Sequence, residues 1–201
     1  MWILIFFFVV AIVVAIILGR YLRKRRRICW KRFADNNDLY FSLKGKSPFI
    51  SGQLNGRSFR LRILDRSSDG ATVGVELTEM TVVLHASLPE DTELRTAPFP
   101  GSAHAPQPAE HSLSTGNPEF DSCFICLGNK RNMEAFLTPQ RQQALQELQD
   151  QRQPHEVALK GTAVHLRRRD TPRDRHCLQA DKIALLKAAE RLDSFGSPAV
   201  Y

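Results

Sequence analysis

The first segment of the chain limits how the rest can be arranged. Trp2 to Leu18 contains no polar side chain, and fourteen of these residues are Ile, Leu, Phe or Val. As a helix, this run together with Gly19 is ~27 Å long at ~1.5 Å per residue, close to the ~30 Å hydrocarbon core of a bilayer. Its insertion into a membrane gains roughly 4 to 8 kcal/mol. Residues 1–19 are therefore predicted to form a transmembrane anchor.

Basic residues follow the anchor at once and predict its direction. A cleaved signal peptide carries its positive charges before the apolar run, which is the opposite order. Lys and Arg beside a membrane segment stay in the cytoplasm. We therefore expect a single-pass membrane protein with its N-terminus outside and its C-terminal domain in the cytoplasm. The predicted membrane junction consists of Arg20, Arg23, Lys24, Arg25, Arg26 and Arg27.

The surplus of basic residues belongs to this junction. The chain has 28 basic and 21 acidic residues, and residues 1–32 hold eight of the basic ones and none of the acidic ones. The remaining 20 basic and 21 acidic residues nearly cancel, so no nucleic-acid partner is expected. Anionic lipids attract such a junction at about 1 kcal/mol per charge. The same arginines could also act as a topology signal alone.

Three small residues lie on one face of the anchor. Ala11, Ala15 and Gly19 are four residues apart, a spacing that lets two membrane helices approach closely. They form a candidate face for a homodimer made through the transmembrane helix. Alanine is common in membrane helices, however, so the same spacing also arises where no dimer forms.

The rest of the chain divides by composition. Residues 20–38 are predicted to be a basic juxtamembrane helix, and residues 39–88 a β-meander half of the domain. Residues 89–118 are rich in Pro and poor in large apolar side chains, so they are predicted to form a flexible loop. An α/β half over 119–196 and a tail over 197–201 follow.

The expected fold class is α+β. It comprises an N-terminal transmembrane helix followed by a mostly antiparallel β-sheet domain with a few covering helices. The soluble domain is expected to fold from about Phe33 onward.

Short sequence motifs predict the positions of several turns, helices and strands. Asn55-Gly56 lies between two apolar-patterned runs and predicts a hairpin, because both turn residues need positive φ. Lys160-Gly161 indicates a second hairpin. Thr138-Pro139 supplies the N-cap and the first residue of a helix, and apolar spacing predicts a last helix from about Leu178 to Phe195. Thr72–Leu77 is among the predicted strands.

Two strings of turn, cap and core residues carry a resemblance. The first is Trp30-x-x-Phe33-Ala34, Pro48-x-Ile50-x-Gly52 and Gly56-Arg57-x-Phe59. The second is Phe120-Asp121, Gly128 and Leu137-Thr138-Pro139-x-Arg141-x-x-x-Leu145. With them the chain resembles a loose group of single-pass, membrane-anchored bacterial proteins of unknown function, over residues 30 to 195 without the central loop. The resemblance implies an inner-membrane location and brings no catalytic residue.

No pattern in the sequence predicts catalysis. Cys123 and Cys126 have the spacing of zinc and redox motifs, but the second pair that zinc needs is limited to the poorly spaced His176-Cys177. A redox pair opens a helix, whereas these cysteines fall in a predicted strand, Cys123–Leu127. The histidines show no partner at catalytic spacing. We therefore expect no enzyme activity, no metal and no cofactor.

The sequence thus favours a membrane-tethered cytoplasmic interaction or scaffold module. Its expected partners are the lipid bilayer and an unknown cytoplasmic protein. Arg57, after the tight turn of the predicted hairpin, is the candidate partner contact, although a charge there could equally protect a strand edge from pairing. The alternative function is a membrane-anchored sensor that binds a small molecule or a lipid head group.

The predicted orientation can be tested with reporter fusions after Tyr201. A reporter that works only in the cytoplasm should be active there, because the basic residues hold that side of the helix inside. Moving the arginines ahead of Trp2 should weaken or invert the orientation. Activity from a reporter that requires export, fused to the unaltered chain, would contradict the prediction.

Overall fold

The structure is a computed structural model that describes residues 2–45, 47–65, 76–86, 88–89, 92–97, 112–151, 156–168, 172 and 174–194. The helices of this part are α1 (Trp2–Asp35), α2 (Pro118–Cys123), α3 (Lys130–Phe136), α4 (Pro139–Gln151) and α5 (Arg175–Ser194). Its strands are β1 (Tyr40–Lys44), β2 (Ser47–Leu54), β3 (Arg57–Asp65), β4 (Glu76–Val83), β5 (Glu93–Thr96), β6 (Phe124–Leu127), β7 (Glu156–Lys160) and β8 (Ala163–Arg168).

The eight strands form a single antiparallel sheet in the order β1-β2-β3-β4-β8-β7-β5-β6. The helices pack on one face of it, where α1 contacts β1 and β2, α5 contacts β4 and β8, and α4 contacts β7. We call this the inner face. No described helix packs on the opposite, outer face. The arrangement confirms the predicted α+β class with an antiparallel sheet and covering helices.

Buried and exposed side chains alternate along the strands, so the two faces of the sheet differ. Phe59 and Leu61 point into the core and are fully buried, whereas Arg60 between them is exposed. The hairpin predicted at Asn55-Gly56 is present, with φ of 51° and 77° at the two turn residues. That geometry favours Asn and Gly because both φ values are positive. The second hairpin joins β7 and β8, as Lys160-Gly161 indicated.

The structure differs from the expected flexible loop over 89–118 at β5. Glu93–Thr96 lies inside the sheet between β7 and β6, and Leu94 is fully buried. Four residues with one large apolar side chain give no readable alternation, so only the pairing with distant strands specifies this element. Residues 98–111 of the predicted loop lie outside the described residues. The same is true of residues 72–75 in the predicted strand Thr72–Leu77.

Helix α1 is continuous from the apolar run into the core. The stretch Ile5–Asp35 is long and apolar enough to cross a membrane, with a mean hydropathy of 2.7 over its most apolar window, which is fully exposed. The last turns of the helix are different, because Trp30 and Phe33 have no exposed surface. The Trp30 indole donates a hydrogen bond to the Pro172 carbonyl at 3.3 Å. One end of the helix is therefore the exposed apolar run, and the other end belongs to the core of the domain.

Helix α5 runs along the inner face from one end of the sheet to the other. Near its start, Asp181 pairs with Arg168 at the end of β8, at 2.9 Å. Near its last turn, Asp193 pairs with Arg57 beside the β2–β3 hairpin. Since Pro172 contacts Trp30 and precedes α5, the start of α5 lies at the sheet end nearest the anchor. We call this the anchor end, and the opposite one the hairpin end.

A buried arginine joins three helices. The Arg141 guanidinium on α4 donates to the Leu192 carbonyl on α5 at 2.8 Å and to the Phe136 carbonyl on α3 at 2.9 Å. It also lies over the Phe136 ring, 4.2 Å from the centroid. Carbonyls at a helix C-terminus have no partner within the helix and carry partial negative charge, so they suit a cation.

The burial of Trp30 predicts where the soluble domain begins. A chain that starts at Phe33 lacks this side chain, and truncating a buried Trp costs about 3 to 5 kcal/mol. We expect a chain that starts at Arg25 to be more stable than one that starts at Phe33 by at least that free energy of unfolding. Urea denaturation of the two soluble chains measures the difference. Equal stabilities would show that residues 25–32 are not part of the folded domain.

Candidate functional site

The predicted membrane junction is a basic segment of α1 between the apolar run and the core. Arg20, Arg23, Lys24 and Arg25 are exposed, Arg27 is half-buried and Arg26 is buried. The Arg23 side chain donates to the Gly19 carbonyl at 3.2 Å. Most of the junction thus presents its charges outward, as an interaction with lipid head groups requires, while Arg26 is enclosed by the domain.

The structure brings the beginning of α5 to the same level. Burial raises the pKa of the Cys29 thiol, and the nearest charges acting on it include Asp174, Arg175 and Arg25. Arg175 and His176 are exposed at this point. No local pattern in the sequence indicates that these distant segments meet. The start of α5, with Arg175 next to Asp174, therefore lies near the segment of α1 around Cys29.

The candidate dimer face is open in the structure. Ala11 and Ala15 are exposed and Gly19 is partly exposed. A methyl group placed on Gly19 would meet only the end of the Arg23 side chain, at 3.9 Å. The dimer made through this face stays a prediction.

Arg57 lies at the hairpin end, where its charge is paired within the chain. The guanidinium binds Asp193 at 2.7 Å, and the two side chains are 10% and 9% exposed. Asp193 also accepts from the backbone N–H groups of His85 and Ala86 at 3.0 and 2.8 Å. Burial alone raises the pKa of Asp193, but these hydrogen bonds outweigh it and lower the pKa. A partner contact through Arg57 stays a prediction, and it would have to compete with this ion pair.

The outer face carries a charged cluster that sequence reasoning missed. Glu79 at its centre is fully buried and is bound on both sides by arginines from neighbouring strands. Arg62 Nη2 lies 2.6 Å from Glu79 Oε2, and Arg167 Nε lies 2.9 Å from Oε1. His165 Nδ1 is 3.4 Å from Oε1 and 3.1 Å from the Thr81 hydroxyl. The alternation of Arg60 and Arg62 with apolar residues was visible in the sequence, but the pairing of β3, β4 and β8 was not.

The ionisation of Glu79 follows from this enclosure. Burial by itself raises the pKa of a carboxyl, because it removes water from the charged form. Hydrogen bonds from His165, Arg167 and Arg62 oppose that effect and lower the pKa of Glu79 to about 2. The carboxylate therefore stays charged and holds both arginines in place.

The two cysteines of the candidate zinc or redox motif are in different elements. Cys123 ends α2, and Cys126 lies in β6 with no exposed surface. Burial raises the pKa of the Cys126 thiol to about 12, so this thiol is a poor nucleophile. Within the described ranges, no three His, Cys, Asp or Glu side chains are placed so that they could hold a metal ion.

A groove between α4 and α5 is shallow. Its cavity volume is about 10 Å³, which is the space of a single water molecule. Polar side chains such as Glu147, Lys187 and Arg191 line its rim. This part of the helical layer has no room for an organic ligand.

Comparison with known proteins identifies a related fold. No family model matches the sequence, and no curated protein matches it. A solved structure shares the fold. The crystal structure of the mycobacterial trehalose monomycolate transport factor A, TtfA, aligns with 86% of this chain and 95% of its own, with a TM-score of 0.56. The two sequences are 11% identical, so the likeness concerns the fold alone.

The Glu79 cluster predicts a pH-dependent stability. Because the pKa of Glu79 is lowered from 4.5 to about 2 in the folded chain, the ionised form stabilises the fold by about 3 kcal/mol. This contribution is complete above pH ~4.5 and is lost as the pH falls toward 2. Glu79→Gln should therefore reduce the free energy of unfolding at pH 7 by about 3 kcal/mol, and by much less near pH 2.

The measurement is urea unfolding of the full chain in detergent, followed by tryptophan fluorescence at both pH values. Glu93→Gln is the matched control, since Glu93 lies on the same face but is 36% exposed and pairs with Lys160 at its surface. An exposed pair of this kind contributes about 1 kcal/mol or less. A Glu79→Gln effect that is equally large at both pH values would contradict the assignment.

Proposed function

We propose that this chain is a membrane-tethered interaction module that holds its α+β domain at a fixed distance from the cytoplasmic face of a bacterial inner membrane. We further propose that it serves there as an accessory factor in lipid transport. The observation that carries the proposal is the continuity of α1, whose first half is apolar and exposed and whose last turns are core. A helix of this kind positions a domain, whereas a flexible linker would only keep it nearby.

The spacing along α1 supports this placement. From Gly19 to Trp30 the helix rises ~16 Å. The head-group layer on each side of a bilayer is about 5 to 8 Å thick. Trp30 would then lie about 8 to 11 Å beyond the head groups, and the first exposed charges of the junction would lie among them.

Anionic lipids are the partner that this geometry favours at the anchor end. The exposed junction residues Arg20, Arg23, Lys24 and Arg25 directly follow the apolar run. Each basic residue near an anionic leaflet contributes about 1 kcal/mol.

The lipid-transport role is supported by the fold likeness to TtfA, which is described as a trehalose monomycolate transport factor. Two further observations favour an accessory role over an enzyme or a sensor. The buried thiol has a raised pKa, and the groove between α4 and α5 has space for about one water. Neither of these two places favours a reaction or a bound small molecule, and the proposal therefore assigns contact with other molecules to the surfaces of the domain.

Complementation in the source bacterium tests the proposal. Deletion of the gene should change the distribution of lipids between the inner membrane and the outer envelope, and the natural chain should restore it. A chain with a Gly-Ser linker between Lys24 and Arg25 should not restore it fully, because the domain is then no longer held by the helix. The readout is pulse-labelled lipid in each layer.

A second insertion at the same position distinguishes the effect of helix rigidity from the effect of helix length. A helix-forming insertion of about seven residues at the same place adds ~10 Å but keeps the helix and nearly its original face. Full restoration by the flexible chain would contradict the fixed-distance proposal. Unchanged lipid distribution after deletion would contradict the lipid-transport role.

A further inference from the structure

The geometry points to the outer face of the sheet as a docking surface for an acidic segment of a partner protein. This inference rests on the proposed function, since it identifies the surface and the partner chemistry of the interaction module. It starts from the distribution of charge. The basic side chains that the strand pairing places on this face are Lys44, Arg60, Arg62, Arg95, Lys160 and Arg167. The acidic ones with described side chains are Glu79, Glu93 and Glu156.

The acidic residues neutralise the centre of the face only in part. Glu79 is enclosed and bound by Arg62 and Arg167, whose side chains are 49% and 32% exposed. Glu156 on β7 also pairs with Arg167, at 3.6 Å, and Glu93 pairs with Lys160. The positive charge that stays open to the solvent at the centre is therefore mainly that of Arg62.

Two further arginines have no acidic partner among the described residues. Arg60 is exposed on β3, and Arg95 is partly exposed on β5 with its Nε buried and without a hydrogen-bond acceptor. The strand register places both in one row across the sheet, in the order Arg60, Thr81, His165, Ala158 and Arg95. Four strand spacings of ~4.8 Å separate the two arginines by ~19 Å. An extended segment of about six residues spans that distance.

The arginines around Glu79 are already held in position to bind further carboxylates. A guanidinium group offers a planar set of donors that matches a carboxylate in a bidentate arrangement. Because Glu79 already holds Arg62 and Arg167, these side chains lose little freedom when a ligand binds. The ~19 Å between Arg60 and Arg95 suits an extended macromolecular segment and not a small anion.

The orientation of the outer face favours a protein over the membrane surface as its binding partner. Helix α5 runs along the strands from the anchor end to the hairpin end, so the sheet extends away from the membrane. The outer face then looks sideways, where it meets the cytoplasmic parts of neighbouring membrane proteins. Lipid head groups are instead met by the anchor end.

The test uses the full chain in nanodiscs of neutral phosphatidylcholine and a fluorescent peptide of alternating Glu and Ser. The face variant combines Arg60→Gln with Arg95→Gln and keeps the Glu79 cluster intact. We expect it to lose about tenfold or more in peptide affinity, equivalent to ~1.4 kcal/mol. The matched control combines Lys130→Gln with Arg131→Gln on α3, which removes the same charge from exposed positions and should bind like the natural chain.

A photoreactive residue shows where the peptide binds. Placed at Ser51, which pairs with Arg60 on the neighbouring strand, it should cross-link to the peptide. Placed at Ile183, which is 56% exposed on α5, it should not. Equal losses in the face and control variants would mean attraction by net charge alone and would overturn the inference.

Two other results would also overturn it. One is loss of peptide binding in a junction variant, Arg20→Gln with Arg23→Gln, while the face variant binds normally. The other is displacement of the peptide by phosphatidylglycerol vesicles that bind only when Arg60 and Arg95 are present, which would make the face a lipid surface. Neither result touches the complementation experiment, so a failure here is distinct from a failure of the lipid-transport role.

Discussion

Burial of Trp30 and Phe33 is the contact on which the rest of the architecture depends. Because these two side chains lie at the end of a helix that begins in the apolar run, the domain core cannot be completed without the helix that carries the anchor. The same contact sets the level of α5 through Pro172. The anchor, the basic junction and the orientation of the sheet are therefore fixed together, by packing that lies within about two turns of one helix.

The electrostatics divide the domain into three regions. At the anchor end, basic groups of α1 and Arg175 of α5 are exposed to the solvent. On the outer face, one buried carboxylate holds two arginines whose other sides are accessible. At the hairpin end, Asp193 binds Arg57 and two backbone N–H groups, so the charges there are used for stability. A near-neutral domain can thus contain two positive surfaces, because its acidic residues are distributed unevenly.

Much of this architecture could be predicted from local signals, and the part that could not has a physical reason. The long apolar helix, the Asn55-Gly56 hairpin and the start of α4 at Pro139 follow from periodicity and from φ preferences, which nearby residues determine. The predicted N-cap is wrong in one respect, because the Thr138 hydroxyl is buried without a hydrogen-bond partner among the described residues. The strand Glu93–Thr96 depends on pairing with β6 and β7, whose residues are distant in sequence. The role of Glu79 was missed for the same reason, since its ion-pair partners come from β3 and β8. Arg57 looked accessible because Asp193, its partner, is 136 residues away.

In the membrane-tethered arrangement proposed above, a continuous helix also makes the domain respond to the shape of the membrane. Membrane helices tilt by about 20° on average, and they tilt further when their apolar length exceeds the local bilayer thickness. The apolar run here is ~26 Å long, slightly shorter than a ~30 Å core, so a thick bilayer keeps it upright and a thinner one lets it lean. A lean of ~20° swings a point ~30 Å below the anchor sideways by about 10 Å. The thickness of the bilayer thereby determines the direction in which the outer face of the sheet points.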